Sequence, residues 1–226
     1  MSEIIISTSK VNRVFPVAGG QSLHVLKDVT INIPKNKLSI LRGRSGSGKT
    51  TLINLLGVLD QPTSGTIMME GEDITKYSSK KQEKLRRSKV GFIFQSVSLI
   101  PIMTVYENVE FSLRLSGYKG SRKERVEECL KLVGLANRMD HMPHELSGGE
   151  QQRVAIARAI AHKPSVIFAD EPTAELDTNT SIVVMKMFKN LIEKEGITIV
   201  MTTHDMGLME AGDIIYTMED GEIIHE

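Results

Sequence analysis

Cysteine is almost missing from this chain. Cys129 stands alone among 226 residues, so no internal disulfide can form, which points to a reducing compartment. A surplus of charge is missing too. Lys plus Arg and Asp plus Glu number 28 each, so no global field draws the chain onto nucleic acid or anionic lipid, and nucleic acid is not an expected partner. No apolar run could cross a bilayer. The longest uncharged stretch, residues 90 to 106, is broken by Gln95, Ser96, Ser98 and Pro101, whereas a span needs about 20 mostly apolar residues. If the protein works at a membrane, another chain is expected to supply the span. The opening "MSEIIISTSK" lacks a basic region followed by a long apolar stretch, so no signal peptide is expected. Internal repeats, low-complexity tracts and flexible linkers are absent as well.

What is present suits one globular domain with a sizeable core, since 40% of residues are hydrophobic and 25% charged. Residues 3 to 33 read as antiparallel strands. Val29, Ile31 and Ile33 alternate with Thr30 and Asn32, and "GTIMMEGEDI" from Gly65 continues that character. In contrast, "LSIL" (38–41), "VGFIF" (90–94), "VIFA" (166–169) and "TIVMTT" (198–203) are short apolar runs with little alternation, as in parallel strands buried on both faces. Between 96 and 163 the pattern turns helical. Val126, Leu130 and Val133 recur at helical spacing, and so do Val154, Ala157 and Ile160. Asp220-Gly221 between apolar runs predicts a C-terminal hairpin.

Two motifs carry chemistry. "GRSGSGKTT" places Gly43, Gly48, Lys49 and Thr50 in the phosphate-loop pattern, between an apolar strand and the helical "TLINLLG". Gly43, Arg44, Ser45, Gly46, Ser47 and Gly48 would turn backbone N–H groups onto phosphate oxygens, and the helix N-terminus would add positive potential. Lys49 would reach the terminal phosphates, Thr50 would ligate Mg²⁺, and Thr51 follows in the first turn. In "VIFADEP" an apolar strand delivers Asp170 and Glu171 to its carboxyl end, where open α/β sheets bind ligands. There Asp170 suits Mg²⁺, held through water, and Glu171 suits a base that polarises an attacking water. The alternative is a merely solvated strand end, which the neighbouring phosphate loop disfavours.

"GFIFQSVSLIP" (91–101), "ENVE" (107–110), "PHELSGGEQQRVAIARA" (143–159) and "DEPTAELD" (170–177) complete a pattern that closely resembles, end to end, the ATPase subunits of ABC transporters. The resemblance is strongest to the subgroup serving lipoprotein release and macrolide or antimicrobial-peptide export. It implies an α/β fold: a P-loop NTPase core with a mostly parallel sheet, an N-terminal antiparallel β subdomain and an inserted α-helical subdomain. The ATP-binding core would comprise 1–95 and 164–226, and the helical subdomain 96–163.

The resemblance also assigns residues. Ser147, Gly148, Gly149 and Glu150 would face the γ-phosphate of ATP held by a second copy. As a local reading, Ser147 and Glu150 form a capping box, and one geometry serves both roles. Gln95 would touch Mg²⁺ or the lytic water, His204 the γ-phosphate, and Asp177 the dimer interface. Phe15 would stack on adenine, a plain core position being the other reading. Arg44 replaces the family's usual proline and Glu175 its usual small or amide residue; a pair between them across the dimer is one reading, and two solvated charges is the other and the weightier, since exposed pairs contribute only about 0–1 kcal/mol.

The implied activity is ATP hydrolysis with ATP and Mg²⁺. Two copies would close head to tail and drive integral membrane permease subunits, exporting or extracting a peptide, lipoprotein or drug-like substrate. The chain would then sit in the cytoplasm, peripheral on the inner face of the membrane. The helical segment would dock the permease, with Leu99, Ile100, Ile102 and Met103 as docking surface or core. A soluble relative acting on DNA or ribosomes would bring tandem cassettes, heptads or a basic surface, none of which is here. A non-catalytic nucleotide module is disfavoured because no catalytic position is substituted.

Overall fold

The computed structural model describes residues 3 to 225. In chain order the elements are β1 (Ile4–Pro16), β2 (Ser22–Val29), β3 (Asn32–Pro34), β4 (Leu38–Arg42), α1 (Lys49–Leu56), β5 (Ser64–Met69), β6 (Glu72–Asp73), α2 (Ser79–Lys89), β7 (Val90–Ile93), α3 (Val105–Ser116), α4 (Arg122–Leu132), α5 (Gly148–Ile160), β8 (Val166–Ala169), α6 (Thr178–Glu195), β9 (Thr198–Thr203), α7 (Met206–Met209), β10 (Ile214–Glu219) and β11 (Glu222–His225).

Two sheets result. The antiparallel one runs β2-β1-β5-β6, with β3 also paired to β1. The other runs β11-β10-β4-β9-β8-β7, and its pairs from β10 to β7 are parallel. The non-alternating runs now have a cause. Along β8, Val166 and Phe168 join the core shared with α1 and the antiparallel sheet, while Ile167 and Ala169 join the core under α3 to α6. Both faces are buried, so neither needs polar residues. Each fully buried Leu, Ile or Phe contributes on the order of 1.5–3 kcal/mol.

The antiparallel strands and the C-terminal hairpin form as the sequence indicates, β10 and β11 turning at Asp220 (φ 46°) and Gly221 (φ 85°). Periodicity did not show that β10 also pairs with β4 in parallel, from Ile214 opposite Ser39 to Thr217 opposite Arg42. The helices α3, α4 and α5 lie between β7 and β8, and Val126, Leu130, Val133, Val154, Ala157 and Ile160 are all buried. The apolar group after Gln95 divides. Leu99 packs on the core and Ile102 is 82% exposed. Asn108 pins this loop, accepting from the Ile100 N–H and donating to the carbonyls of Ile100, Met103 and Thr104.

Candidate nucleotide site

Four adjacent parallel strands, β4, β9, β8 and β7, end at one edge of the sheet. The loop from Gly43 leaves β4, His204 follows β9, Asp170 and Glu171 follow β8, and Gln95 follows β7 by two residues. Residues up to 161 positions apart in sequence therefore share one rim. A cavity of about 300 Å³ lies there, lined by Val25, Ser45, Gly46, Gly48, Lys49, Thr50, Thr51, Gln95 and Glu171. Gly43, Arg44 and Ser47 line the other side of the loop, facing the β10–β11 hairpin.

Local chemistry shapes the cradle. Gly48 caps α1 in the left-handed region at φ 103°, and a Cβ there would lie 2.8 Å from Leu26 Cδ2, so only glycine fits without strain. Lys49 is buried, and its Nζ donates to the Gly43 and Arg44 carbonyls at 2.8 and 3.0 Å. The ammonium is thus held against the loop by two of its own carbonyls.

The acidic pair is fixed from β9. Thr202, fully buried, donates its hydroxyl to Asp170 Oδ1 at 2.6 Å and accepts the Glu171 N–H at 2.8 Å. Glu171 adopts φ 44°, a left-handed conformation rare for residues other than glycine, seen where surrounding contacts over-determine the backbone. Its Oε2 lies 3.2 Å from His204 Nδ1. Sequence reading missed Thr202 and Val25. The signal for Thr202 was a pair of threonines closing a buried strand whose middle is apolar.

A second group lies outside this cavity. Ser147 caps α5: its Oγ accepts from the Glu150 N–H at 3.3 Å, while Glu150 Oε2 accepts the Ser147 N–H at 2.9 Å and its hydroxyl at 3.0 Å. The capping box read from the sequence is present. The Ser147 N–H and hydroxyl hold the Glu150 carboxyl below its ordinary pKa. Asp177 caps α6, accepting the Thr180 hydroxyl at 2.6 Å and its N–H at 3.0 Å, which lowers its pKa too. The two caps touch, since a Cβ on Gly149 would come within 2.7 Å of Thr180 Cγ2. A buried bond from Gln152 Nε2 to the Pro172 carbonyl at 2.8 Å ties α5 to the segment after Glu171. Phe15, on β1, is partly buried and belongs to neither buried cluster, so the core reading does not apply.

The ABC transporter family profile matches residues 26–174. An ABC transporter ATP-binding protein of Bacillus subtilis, YknY, is 43% identical over 97% of this chain and 95% of its own. The macrolide export ATP-binding/permease protein MacB of Rhodopirellula baltica is 42% identical over 92% of this chain, which spans only 31% of that longer protein. Among solved structures, the dimeric post-hydrolysis cassette MJ0796 of Methanocaldococcus jannaschii, bound to ADP and Pi, superposes with a TM-score of 0.89 at 38% identity over 97% of both chains. The chain belongs to the ABC transporter family, as an ATP-binding cassette with ATPase activity.

Proposed function

We propose that two copies of this chain close head to tail around two ATP molecules, each site joining the phosphate loop of one copy to Ser147, Gly148, Gly149 and Glu150 of the other. The observation that carries this reading is the separation just described. Lys49, Gln95 and Glu171 line one cavity while Ser147 to Glu150 lie outside it, so a phosphate-facing α5 N-terminus needs a nucleotide held elsewhere. The Ser147 hydroxyl, now donated to Glu150, would turn to the γ-phosphate on closure. Gly148 has nothing within 4 Å of a built Cβ, which leaves its backbone open to approach. The dimeric form of the related cassette supports the arrangement.

Within each site Gly43 to Thr51 bind the phosphates. Lys49 exchanges its two carbonyl partners for phosphate oxygens, and Glu171 takes a proton from the attacking water. His204 orients the Glu171 carboxylate and reaches the γ-phosphate. Asp177 follows its cap onto the dimer interface, and Phe15 stacks on adenine, for which any aromatic face suffices. The Thr50 hydroxyl, Gln95 amide and Asp170 carboxylate are hard oxygen donors. No cluster of three His, Cys, Asp or Glu suited to a metal occurs among the described residues. That set fits Mg²⁺, which keeps waters and takes phosphate oxygens as ligands. When bound, the ion would neutralise charge on the phosphates.

The membrane partner would be a permease, seated on residues 96–163 beside a core of 1–95 and 164–226. An apolar groove of about 380 Å³, lined by Phe92, Phe94, Ile100, Phe111 and Leu115 among others, suits a partner's helix. No described helix is long and apolar enough to cross a membrane. The chain would thus sit peripherally on the cytoplasmic face and power export or extraction of a peptide, lipoprotein or drug-like substrate.

Complementation tests the shared site. Lys49→Ala and Ser147→Arg chains should each lack ATPase activity, and mixing them should restore it, because the mixed dimer keeps one intact site. Mixtures as inactive as their components, or a strictly monomeric wild type hydrolysing at full rate, would sink the reading.

A further inference from the structure

Arg13 belongs to no motif read above, yet it links the Phe15 ring to the segment that leaves α1. Its Nε and Nη2 each donate to Asp60 at 2.8 Å, one to each carboxylate oxygen. This is the bidentate pairing that fixes a guanidinium in both position and plane. Its Cζ lies 4.2 Å from the centroid of the Phe15 ring, well inside cation–π range. The β1–β2 ladder slips on either side of Arg13, and such irregularities re-aim a side chain.

Both ends of this chain of contacts lead to the site. Phe15 pairs with Leu23 on β2. Val25, two residues or roughly 7 Å along that strand, lines the phosphate cavity. Asp60 stands four residues past the end of α1, the helix that begins at Lys49. Its N–H is bonded to the carbonyl of Asn54 within that helix. The Asp60–Arg13–Phe15 sequence therefore spans from the phosphate-binding helix to the aromatic ring.

We propose that Arg13, clamped by Asp60, is a positioning residue for the purine base: it covers one face of Phe15, holds the ring at a set distance from the phosphate loop, and leaves the other face for adenine. The inference rests on the base-stacking reading of Phe15. A ring already held in place loses less freedom when the base arrives, and a cation on its far face adds attraction that a bare phenyl lacks. Arg13 touches no phosphate in this scheme, so its influence falls on base-bearing ligands alone.

Calorimetric titration of the full chain with ATP and, separately, with inorganic tripolyphosphate, which has no base, tests this. Arg13→Ala and Asp60→Asn should each weaken ATP binding about 3- to 10-fold and leave tripolyphosphate unchanged. Arg13→Lys, which keeps the charge but not the fork, should recover part of the loss. On a Phe15→Ala background, Arg13→Ala should cost nothing more. Equal losses for both ligands, or a full additional loss on that background, would overturn the proposal. If Phe15→Ala itself binds ATP like wild type, the stacking reading fails and takes the proposal with it. If Phe15→Ala weakens ATP while Arg13→Ala does not, stacking stands and only the role of Arg13 falls. Thermal melts of each variant separate these outcomes from misfolding, and the ATP-to-tripolyphosphate ratio is insensitive to a uniform loss of folded protein.

Discussion

Glu171 Oε2 and His204 Nδ1 stand 3.2 Å apart at the ends of neighbouring strands β8 and β9. In the proposed site this contact would aim the carboxylate at the attacking water. Glu171→Gln should keep ATP binding, lower turnover by about 10²–10⁴-fold, and let dimers accumulate with ATP. Phosphate-release assays and light scattering check both halves. Turnover at the wild-type rate would remove Glu171 from the role of base. His204→Ala should bind ATP normally and lose part of the rate, because the carboxylate loses its guide.

Thr202 serves two partners, so its loss leaves two groups unsatisfied. Thr202→Val should destabilise the fold by about 1–3 kcal/mol, since Asp170 Oδ1 and the Glu171 N–H lose their partner. It should also raise the Mg²⁺ concentration needed for half-maximal turnover. Thr202→Ser retains the hydroxyl and should recover most of both. Denaturant midpoints and Mg²⁺ titrations are the measurements. A valine variant as stable as wild type would contradict the account.

Gly149 owes its place to Thr180. A methyl at 149 would meet Thr180 Cγ2 at 2.7 Å and push the Ser147 turn off the Asp177 cap. Gly149→Ala should therefore cost about 1–3 kcal/mol and weaken ATP-driven dimerisation. Thr180→Ser removes the methyl while keeping the hydroxyl bonded to Asp177, so the double variant should regain dimerisation. Failure of that rescue would place the defect in helix propensity instead.

Arg44 and Glu175 are both exposed, and neither makes an ion pair within the described residues. If they pair between copies, Arg44→Glu or Glu175→Arg alone should weaken ATP-dependent dimerisation, and the charge-swapped double variant should restore it. Exposed pairs contribute only about 0–1 kcal/mol, so analytical ultracentrifugation at low salt is the suitable measurement. Additive losses would rule out the pair.

Cys129 is buried on α4, and burial pushes its thiol up to about 12, Arg125 nearby offsetting part of the effect. The folded pKa lies above the ordinary value of 9.0. The contribution to stability is thus fully present below 9.0 and is lost as pH rises toward the folded value. Native protein should resist iodoacetamide until it unfolds, and its denaturant midpoint should fall as pH is raised above that ordinary value. Rapid alkylation of the native chain would show the helix to be open.

The sequence alone determined much of the site, because phosphate chemistry constrains contiguous residues. Gly43 to Gly48 form one loop that runs into α1 at Lys49, and Ser147 to Glu150 one helix start, so their geometry is written in local order. The same holds for the buried strands, where solid apolar runs mean two covered faces. Tertiary structure decided what depends on distant strands meeting. It seated Thr202 under Asp170 and Glu171 and set Gly149 against Thr180. It paired β10 with β4 and clamped Arg13 between Phe15 and Asp60, a contact spanning 47 positions. Such contacts join residues whose types are ordinary in their own segments, a threonine in a strand or an arginine beside a bulge. Only the packing that brings the segments together gives them a function.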